Sequence, residues 1–260
     1  MKITIIGGGN MGGAIAIGLG SGTIFAPQDI TVIDRNQRNI NYIKTYNNGI
    51  NGVINDYSSL SEADIIVLAV KPWYIQEVLE KHRKAFNPYQ IIISIASGIS
   101  LNQLSEWILS DSAIYRVMPN TAIAIKESMS FVASYGANKE NDELILKIFS
   151  ELGKAELIDE KLFPAVTSLT SCGIAFAFRY IRAAMEGGVE MGLRPDQAKQ
   201  AIIQTLRGAA NLLETNNSHP EVEIDKVTTA GGTTIKGLNE MENAGFTSAV
   251  IKGLKASYVK

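Results

Sequence analysis

A glycine-rich turn near the start of the chain constrains the fold more than any other segment. The apolar run Ile3–Ile6 is followed by Gly7, Gly9 and Gly12 in the spacing G-x-G-x-x-G, and an apolar helical pattern begins directly afterwards. Glycines at this spacing allow a tight turn, close approach of the backbone to a pyrophosphate, and close packing of a helix on a strand. The motif therefore predicts a nucleotide-binding turn rather than an ordinary glycine-rich connection.

The first half of the chain alternates short apolar runs with helical patterns, which is typical of a parallel sheet covered on both faces. The apolar runs are Ile3–Ile6, Ile30–Ile33, Ile65–Val70, Ile91–Ile95 and Ala113–Val117, with weaker strand candidates at Ser130–Ser134 and Ala155–Ile158. This alternation predicts an α/β fold, a Rossmann-type doubly wound parallel sheet, over residues 1–159.

After about Glu160 the pattern becomes almost entirely helical, which predicts an all-helical domain over residues 160–260. The segment Leu162–Met191 is long and largely apolar, and its part Ile174–Met185 carries apolar residues on every side. A helix of this kind needs burial all around, and a domain of this size has little core to provide it. We therefore expect this helix to pack against a second subunit.

Composition excludes several classes of partner. The net charge is −2 and the charges are mixed, so no basic run supports nucleic-acid binding. The single cysteine, Cys172, excludes an intrachain disulfide and favours a reducing compartment, which we take to be the cytoplasm. The two histidines have no partner at metal-ligand spacing, so no metal site is expected. We also expect no apolar segment long enough to span a membrane.

Candidate ligand-binding residues follow the predicted strands, because ligands bind at the carboxyl edge of a parallel sheet. Asp34 is placed to accept hydrogen bonds from the adenine ribose, which favours NAD, whereas Arg35 is suited to the 2′-phosphate of NADP. The run Ala69-Val70-Lys71-Pro72 ends the predicted strand Ile65–Val70, and Lys71 is either a ligand contact or a surface lysine before a helix. Asn120 either contacts the nicotinamide end of a cofactor or caps a turn.

A second candidate site lies late in the chain. Thr228–Thr234 contains the pair Gly231-Gly232 and several hydroxyls before a helix that we expect to begin near Ile235. Such a turn can direct backbone N–H groups at a small anion. The alternative is an ordinary helix cap formed by Thr233 or Thr234.

Taken together, these segments resemble the pyrroline-5-carboxylate reductase family over essentially the whole chain. The segments that carry the resemblance are G-G-G-N-M-G (7–12), L-A-V-K-P (68–72), R-V-M-P-N-T (116–121), A-V-T-S-L-T-S-C-G (165–173), G-V-E-M-G-L (188–193) and V-T-T-A-G-G-T-T-I-K-G-L (227–238). The resemblance implies an NAD(P)H-dependent reductase that has a Rossmann domain and a helical dimerisation domain. It also implies a homodimer, commonly assembled further into a decamer.

The resemblance also implies site residues. Cofactor-contacting positions are Ile6, Gly9, Asn10, Met11, Asp34, Asp56, Ala69, Lys71 and Ala96, to which the strand-end argument adds Gly7, Gly8, Arg35, Val70, Pro72 and Asn120. Substrate-side positions are Glu160, Lys226, Thr233 and Thr234, together with Gly231 and Gly232 of the turn that holds the substrate carboxylate. Thr234 is the implied catalytic residue, since its hydroxyl would hydrogen-bond the ring nitrogen.

The sequence departs from the usual family pattern at Ala122, Cys172-Gly173-Ile174 and Ala230. The expected function remains reduction of the small-molecule substrate L-1-pyrroline-5-carboxylate to L-proline, with NADPH or NADH as the cofactor. One alternative is a reductase of another imine or of a hydroxyacid. Those acting on 3-hydroxyacids usually carry a lysine on the long helix, which is absent here after its start. The other alternative is a non-enzymatic dinucleotide-sensing regulator, which has no need of the late threonine turn.

Overall fold

The computed structural model describes residues 1–108 and 111–259, which divide into two compact units, Met1–Ser171 and Cys172–Lys260. This division falls after the expected boundary at 159/160. The difference arises because Phe163 is fully buried in the core of the N-terminal unit, so the chain just after Glu160 belongs to that unit.

Within the described residues, the N-terminal unit contains one eight-stranded sheet with the order β3-β2-β1-β4-β5-β6-β7-β8. Its strands are β1 (Ile3–Ile6), β2 (Ile30–Asp34), β3 (Asn51–Ile54), β4 (Ile65–Leu68), β5 (Ile91–Ser94), β6 (Ala113–Met118), β7 (Ser128–Tyr135) and β8 (Gly153–Leu157). The first six strands are parallel. The order of these six strands is that of a doubly wound dinucleotide-binding fold, and it confirms the predicted fold class.

The sheet differs from a purely parallel one at β6 and β7, which pair antiparallel with Met118 opposite Phe131. The connection between them is a short 3-10 turn, Thr121–Ile125, which is too short for a parallel crossover. Strand β8 returns parallel to β7 after the helix Lys139–Ser150. The last two strands therefore run against the other six.

Helices cover both faces of the sheet. They are α1 (Asn10–Gly20), α2 (Gln37–Tyr46), α3 (Pro72–Lys81), α4 (Leu101–Ile108) and α5 (Lys139–Ser150). One apolar core holds α1, α2 and α5 against the sheet, and a second holds α3 and α4 on the opposite face. The central strands β1, β4 and β5 are buried along their whole length, which explains why each reads as a continuous apolar run.

The predicted helix over Leu162–Met191 is interrupted rather than uniform. A short helix, α6 (Phe163–Val166), passes through one π-helical stretch, Thr167–Cys172, into α7 (Gly173–Glu190). The whole helical stretch Glu160–Glu190 is long and apolar enough to cross a membrane by length and composition. The expectation that the chain contains no segment of that length is therefore wrong, because the stretch carries too few charged residues to interrupt it.

The C-terminal unit consists of α7 followed by α8 (Pro195–Asn216), α9 (Pro220–Val227), α10 (Thr233–Asn243) and α11 (Phe246–Ser257). Helices α7 and α8 pack closely, since a Cβ atom added to Gly188 would lie 3.1 Å from the Ala198 Cβ. These two residues are the only buried ones among the described residues of this unit. A helical unit with so little interior has no hydrophobic core of its own.

Candidate functional site

The expected cofactor-contacting residues lie along one edge of the sheet. Each group follows the carboxyl end of one of the six parallel strands, beginning with Ile6 as the last residue of β1. The groups are Gly7–Met11 after β1, Asp34 and Arg35 at the end of β2, Asp56 after β3, Ala69–Pro72 after β4, Ala96 after β5 and Asn120 after β6. The strand order changes direction at β1, and such a point is where open α/β sheets bind ligands.

The surroundings of the three motif glycines differ. Gly7 has a φ of 106°, and an added Cβ would lie 2.7 Å from the Ala69 carbonyl oxygen. A Cβ on Gly12 would overlap the Gly7 carbonyl oxygen, so α1 packs directly on the turn. A Cβ on Gly9 would meet nothing within 4 Å. Gly9 therefore leaves the start of α1 open, and we find no packing reason for a glycine there.

Helix α1 begins without a side-chain cap. Its N-cap is Gly9, no side chain accepts from its first N–H groups, and its first turn contains no acidic residue. Helices α2 and α5 begin differently, since Asn36 and Asn138 accept hydrogen bonds from their first turns. Uncapped N–H groups at a helix start, with the positive end of the helix dipole, attract an anion such as a phosphate.

The Asp34 carboxylate holds the glycine turn. Its Oδ2 accepts from the Gly8 N–H at 2.6 Å and from the Asn39 Nδ2 at 3.0 Å, and its Oδ1 accepts from the Asn36 N–H at 2.7 Å. Three donors therefore fix this carboxylate at the end of β2, next to the start of α1. Asn39 was not identified from the sequence.

The Arg35 side chain has a different partner, which is Tyr74. Its guanidinium lies 5.1 Å from the centre of the Tyr74 ring on α3. The hydrogen bond between the two side chains raises the pKa of Arg35 and lowers that of Tyr74. Arg35 is therefore an exposed cation with an aromatic partner, at the same strand end as Asp34.

The remaining strand ends carry smaller or exposed groups. Lys71 is the exposed N-cap of α3, with Pro72 at the first helical position. Asp56 is exposed. Its carboxylate accepts a hydrogen bond from the Ser58 N–H, which lowers the pKa of the carboxyl. Ala96 is buried beside β5.

Asn120 is buried and its side chain is occupied within the protein. Its Oδ1 accepts from the Ala122 N–H at 3.0 Å, and its Nδ2 donates to the Thr170 carbonyl oxygen at 3.4 Å. Its backbone N–H donates to the Ser128 Oγ at 3.1 Å. This geometry matches the capping alternative more closely than a direct ligand contact.

Glu160 is anchored by two donors. Its Oε1 accepts from the Arg116 Nη1 at 3.0 Å and from the Leu101 N–H at 2.8 Å. The Arg116 guanidinium also lies 4.5 Å from the centre of the Phe163 ring. The Arg116 side chain is 12% exposed and that of Glu160 is 28% exposed. The cluster fixes Glu160 through Oε1, and Oε2 takes no part in these contacts.

The threonine turn in the C-terminal unit repeats the features of the glycine turn. Gly231 has a φ of 70°, and the Gly232 N–H donates to the Thr229 carbonyl oxygen at 2.9 Å. Helix α10 begins at Thr233, earlier than expected, with Gly232 as its N-cap, no side-chain cap and no acidic residue in its first turn. The alternative in which Thr233 or Thr234 caps this helix is therefore wrong, because both already lie inside its first turn.

Lys226 lies on α9, shortly before this turn. Its Nζ pairs with the Glu223 Oε1 at 2.7 Å. The same oxygen accepts from the Ser218 Oγ at 2.5 Å and from the Asn216 Nδ2 at 3.2 Å. These donors, led by Lys226, lower the pKa of Glu223 to about 2. Lys226 is thus a half-exposed cation whose position depends on Glu223.

Sequence reasoning assigned no role to Asn39, Tyr74, Arg116 or Glu223, which hold the expected site residues in place. Arg116 carried a usable signal, because a charged residue inside the buried run Ala113–Met118 needs a partner. The other three residues stand at ordinary surface positions of helices. The partners of Asn39 and Tyr74 depend on how each helix is rotated, which no local pattern records, whereas Glu223 pairs with Lys226 at the i,i+3 spacing of one helix.

The fold and the open glycine turn define a dinucleotide-binding oxidoreductase. A family model for coenzyme F420-dependent NADP oxidoreductases matches residues 2–98, and a model for the pyrroline-5-carboxylate reductase dimerisation domain matches residues 160–260. The chain belongs to the pyrroline-5-carboxylate reductase family, because relatives in that family match nearly its whole length.

Three of these relatives illustrate the match. The chain is 33% identical to pyrroline-5-carboxylate reductase of Arabidopsis thaliana, covering 98% of this chain and 92% of that protein. It is 38% identical to pyrroline-5-carboxylate reductase 1 of Dictyostelium discoideum over 98% of this chain, and it spans about half (48%) of that longer protein. The crystal structure of Plasmodium falciparum pyrroline carboxylate reductase with NADP bound has a TM-score of 0.86 and 26% identity, covering 99% and 95% of the two chains.

Proposed function

We propose that the chain reduces L-1-pyrroline-5-carboxylate to L-proline with NAD(P)H, the last step of proline biosynthesis. The observation that carries this proposal is the threonine turn at the start of α10, where no side chain caps the first N–H groups, so that a second turn besides the one at α1 can hold an anion. A dinucleotide-sensing regulator has no use for that second turn. Family membership over nearly the full length of the Arabidopsis reductase supports the same substrate.

The glycine turn fits a dinucleotide. The space beside Gly9 is open, and the uncapped N–H groups of α1 suit a pyrophosphate. Residues Gly7–Met11 would hold the pyrophosphate, Asp34 and Arg35 the adenosine end, and the strand ends at Ala69–Pro72 and Ala96 the remainder. When bound, the reduced nicotinamide supplies a hydride to the C=N carbon of the cyclic imine.

The threonine turn binds and orients the substrate. The N–H groups at the start of α10 hold the substrate carboxylate. The open space beside Gly231 lets the backbone approach it closely, and Gly232 packs on Thr229 to shape the turn. Lys226 adds a positive charge on the substrate side, and Glu160, fixed by Arg116, adds a carboxylate. The Thr234 hydroxyl hydrogen-bonds the ring nitrogen and sets which face of the ring is attacked.

Little acid–base chemistry is required of the protein. A cyclic imine with a protonated nitrogen is already electrophilic, so one hydride and one proton complete the reduction. Because a threonine hydroxyl is a weak acid, the proton comes from the substrate or from solvent, with Thr234 as a relay. Positioning supplies most of the rate, since effective molarities on the order of 10⁵ M are attainable for well-oriented reactants.

The decisive experiment follows oxidation of NADH and of NADPH with L-1-pyrroline-5-carboxylate as the substrate. We expect Thr234→Ala to lower kcat by roughly 10- to 1000-fold, the scale of one lost oriented donor, while dinucleotide affinity stays unchanged. Thr234→Ser, which keeps the hydroxyl, serves as the control and retains most of the activity. Unchanged turnover in Thr234→Ala would remove this residue from the mechanism, and no imine reduction by the wild type would refute the function.

We also propose that the chain works as a homodimer in the cytoplasm, with assembly into a decamer as the next level. The exposed apolar side chains of α7, such as Phe176 and Phe178, provide a surface for the second copy. The same pairing accounts for the apolar stretch Glu160–Glu190 without a membrane, and the near-neutral charge gives no support to a nucleic-acid partner.

A further inference from the structure

We infer that the fixed Asp34 carboxylate makes this chain prefer NADH over NADPH. The inference rests on the proposed function for the reaction in which the cofactor is used. It concerns the adenosine end of the dinucleotide, where the two cofactors differ by a single phosphate on the 2′-hydroxyl.

The hydrogen bonds of Asp34 leave one acceptor position free on its carboxylate. A hydroxyl that donates can use this position, whereas an anion cannot. Oδ2 already accepts twice, from the Gly8 N–H and the Asn39 Nδ2, whereas Oδ1 accepts only from the Asn36 N–H. Since a carboxylate oxygen accepts about two hydrogen bonds, Oδ1 retains one acceptor position. A ribose 2′-hydroxyl can donate to it, which stabilises NADH binding.

A 2′-phosphate at this position meets an unfavourable environment. It carries about −1.5 to −2 charges at neutral pH and offers few protons to donate. Asp34 cannot turn away from it, because the carboxylate also holds the glycine turn through Gly8. Two negative groups would therefore lie close together at the edge of the sheet.

The neighbouring cations offset the repulsion between Asp34 and a 2′-phosphate only in part. The Arg35 guanidinium lies 5.1 Å from the centre of the Tyr74 ring, so reaching a phosphate would cost that contact. Arg38 lies in the first turn of α2 and is exposed, as Arg35 is. Exposed cations are screened by water and salt, whereas the Asp34 carboxylate is fixed and partly buried. The geometry therefore favours the cofactor without the phosphate.

The test measures binding without any imine present. Full-length protein is titrated with NADH and with NADPH, and the two dissociation constants are taken from nicotinamide fluorescence. We expect NADH to bind at least about tenfold more tightly than NADPH, as expected for a charge conflict of this kind. Equal affinity, tighter NADPH binding, or no binding of either dinucleotide would overturn the inference.

Two substitutions at Asp34 test whether this residue sets the preference for NADH. Asp34→Ser removes the carboxylate, and Asp34→Asn removes its charge while keeping an oxygen that can accept from the Gly8 N–H. We expect the ratio of the NADPH to the NADH dissociation constant to fall at least about tenfold in both, even where both affinities decrease. Asp29→Asn is the matched control, since Asp29 precedes the opposite end of β2, and its ratio stays at the wild-type value. An unchanged ratio in both Asp34 variants would exclude Asp34 as the determinant.

Because no imine is used, this result is independent of the reaction. A protein that binds NADH preferentially but does not reduce pyrroline-5-carboxylate would refute the proposed function and leave this inference standing. A protein that reduces the imine but prefers NADPH would do the reverse.

Discussion

Single residues in the glycine turn differ in what an added methyl group would meet. Gly12 faces the Gly7 carbonyl oxygen and the Ala69 Cβ, whereas the space beside Gly9 is empty. The φ of −68° at Gly9 is one that any residue adopts, so backbone strain does not explain a glycine there. Packing therefore accounts for Gly12, and ligand approach is the remaining reason for Gly9.

This difference predicts opposite behaviour of two alanine variants. Gly12→Ala should lower the free energy of unfolding by at least about 2 kcal/mol, because a backbone oxygen cannot move aside. Gly9→Ala should change it by less than about 1 kcal/mol but raise the dissociation constant for the dinucleotide at least about tenfold, since the methyl group occupies the approach to α1. Urea unfolding and NADH titration of both variants check this. Unchanged affinity in Gly9→Ala would contradict the role given to the turn.

Much of the candidate site could be predicted at this scale, because a residue that follows a strand lies at a known edge of a parallel sheet. Gly7, Asp34 and Lys71 could be placed there from apolar runs alone. Which partners hold the side chains could not be predicted. The bond from Asn39 to Asp34 and the packing of Arg35 on Tyr74 depend on how α2 and α3 are rotated against the sheet.

At the scale of elements, the Arg116–Glu160 pair ties strand β6 to the segment that leads into α6. Both side chains are largely buried, and Glu160 also accepts from the first residue of α4. Three elements therefore meet at one carboxylate. Removing one partner of such a pair leaves the other charged and poorly solvated.

We expect Arg116→Met to lower the free energy of unfolding by about 2 kcal/mol, less than for a fully buried pair because Glu160 keeps some exposure. The matched control is Lys161→Ala, which removes the neighbouring ion pair between Lys161 and Asp159, whose side chains are 76% and 53% exposed. That variant should change stability by less than about 0.5 kcal/mol. Equal effects of the two substitutions, measured by urea unfolding, would argue against a structural role for Arg116.

Helix α9 carries a pH dependence of stability at Glu223. The pKa of Glu223 is lowered to about 2 in the folded chain, from an ordinary value of 4.5, by Lys226, Ser218 and Asn216. A carboxyl with a lowered pKa stabilises the fold above pH 4.5 and loses that contribution as the pH falls towards 2. Glu223→Gln should therefore be less stable than wild type near pH 6, and the difference should shrink below pH 4.5.

Thermal unfolding of both proteins between pH 6 and 2.5 measures this difference. Glu221→Gln, an exposed position in the first turn of the same helix, is the control and should track wild type more closely. A difference between wild type and Glu223→Gln that stays constant down to pH 3 would show that the hydrogen bonds of Glu223 do not depend on its charge.

The fold could be predicted where an element repeats a simple pattern and not where its environment is unusual. The five buried parallel strands follow from continuous apolar runs, whereas β3 (Asn51–Ile54) was missed because it is an edge strand with little apolar content. Its Gly52 lies directly against Ile40, a tertiary contact that leaves no local signal. The reversed direction of β7 follows from the short connection before it, whose length is clear only once both strands are placed.

On the scale of the whole molecule, the C-terminal unit is the least self-sufficient part of the chain. Its buried residues within the described range are Gly188 and Ala198, while Phe178 is 65% exposed on α7. Apolar surface of this kind marks an interaction site rather than a free surface. Residues 160–260 match a dimerisation-domain model, and we propose that a second copy of the chain supplies the missing interior.

Sedimentation velocity in detergent-free buffer tests this requirement. Wild type should sediment as a dimer or a larger assembly, and Phe178→Asp should shift the population towards monomer, because a charge in an apolar interface is costly to desolvate. Tyr89→Asp, an equally drastic change at a 94% exposed aromatic of the N-terminal unit, is the matched control and should leave the assembly intact. A wild-type monomer that is stable and active would show that the exposed face of α7 needs no partner, and a chain found only with membranes would assign the apolar stretch Glu160–Glu190 to lipid instead.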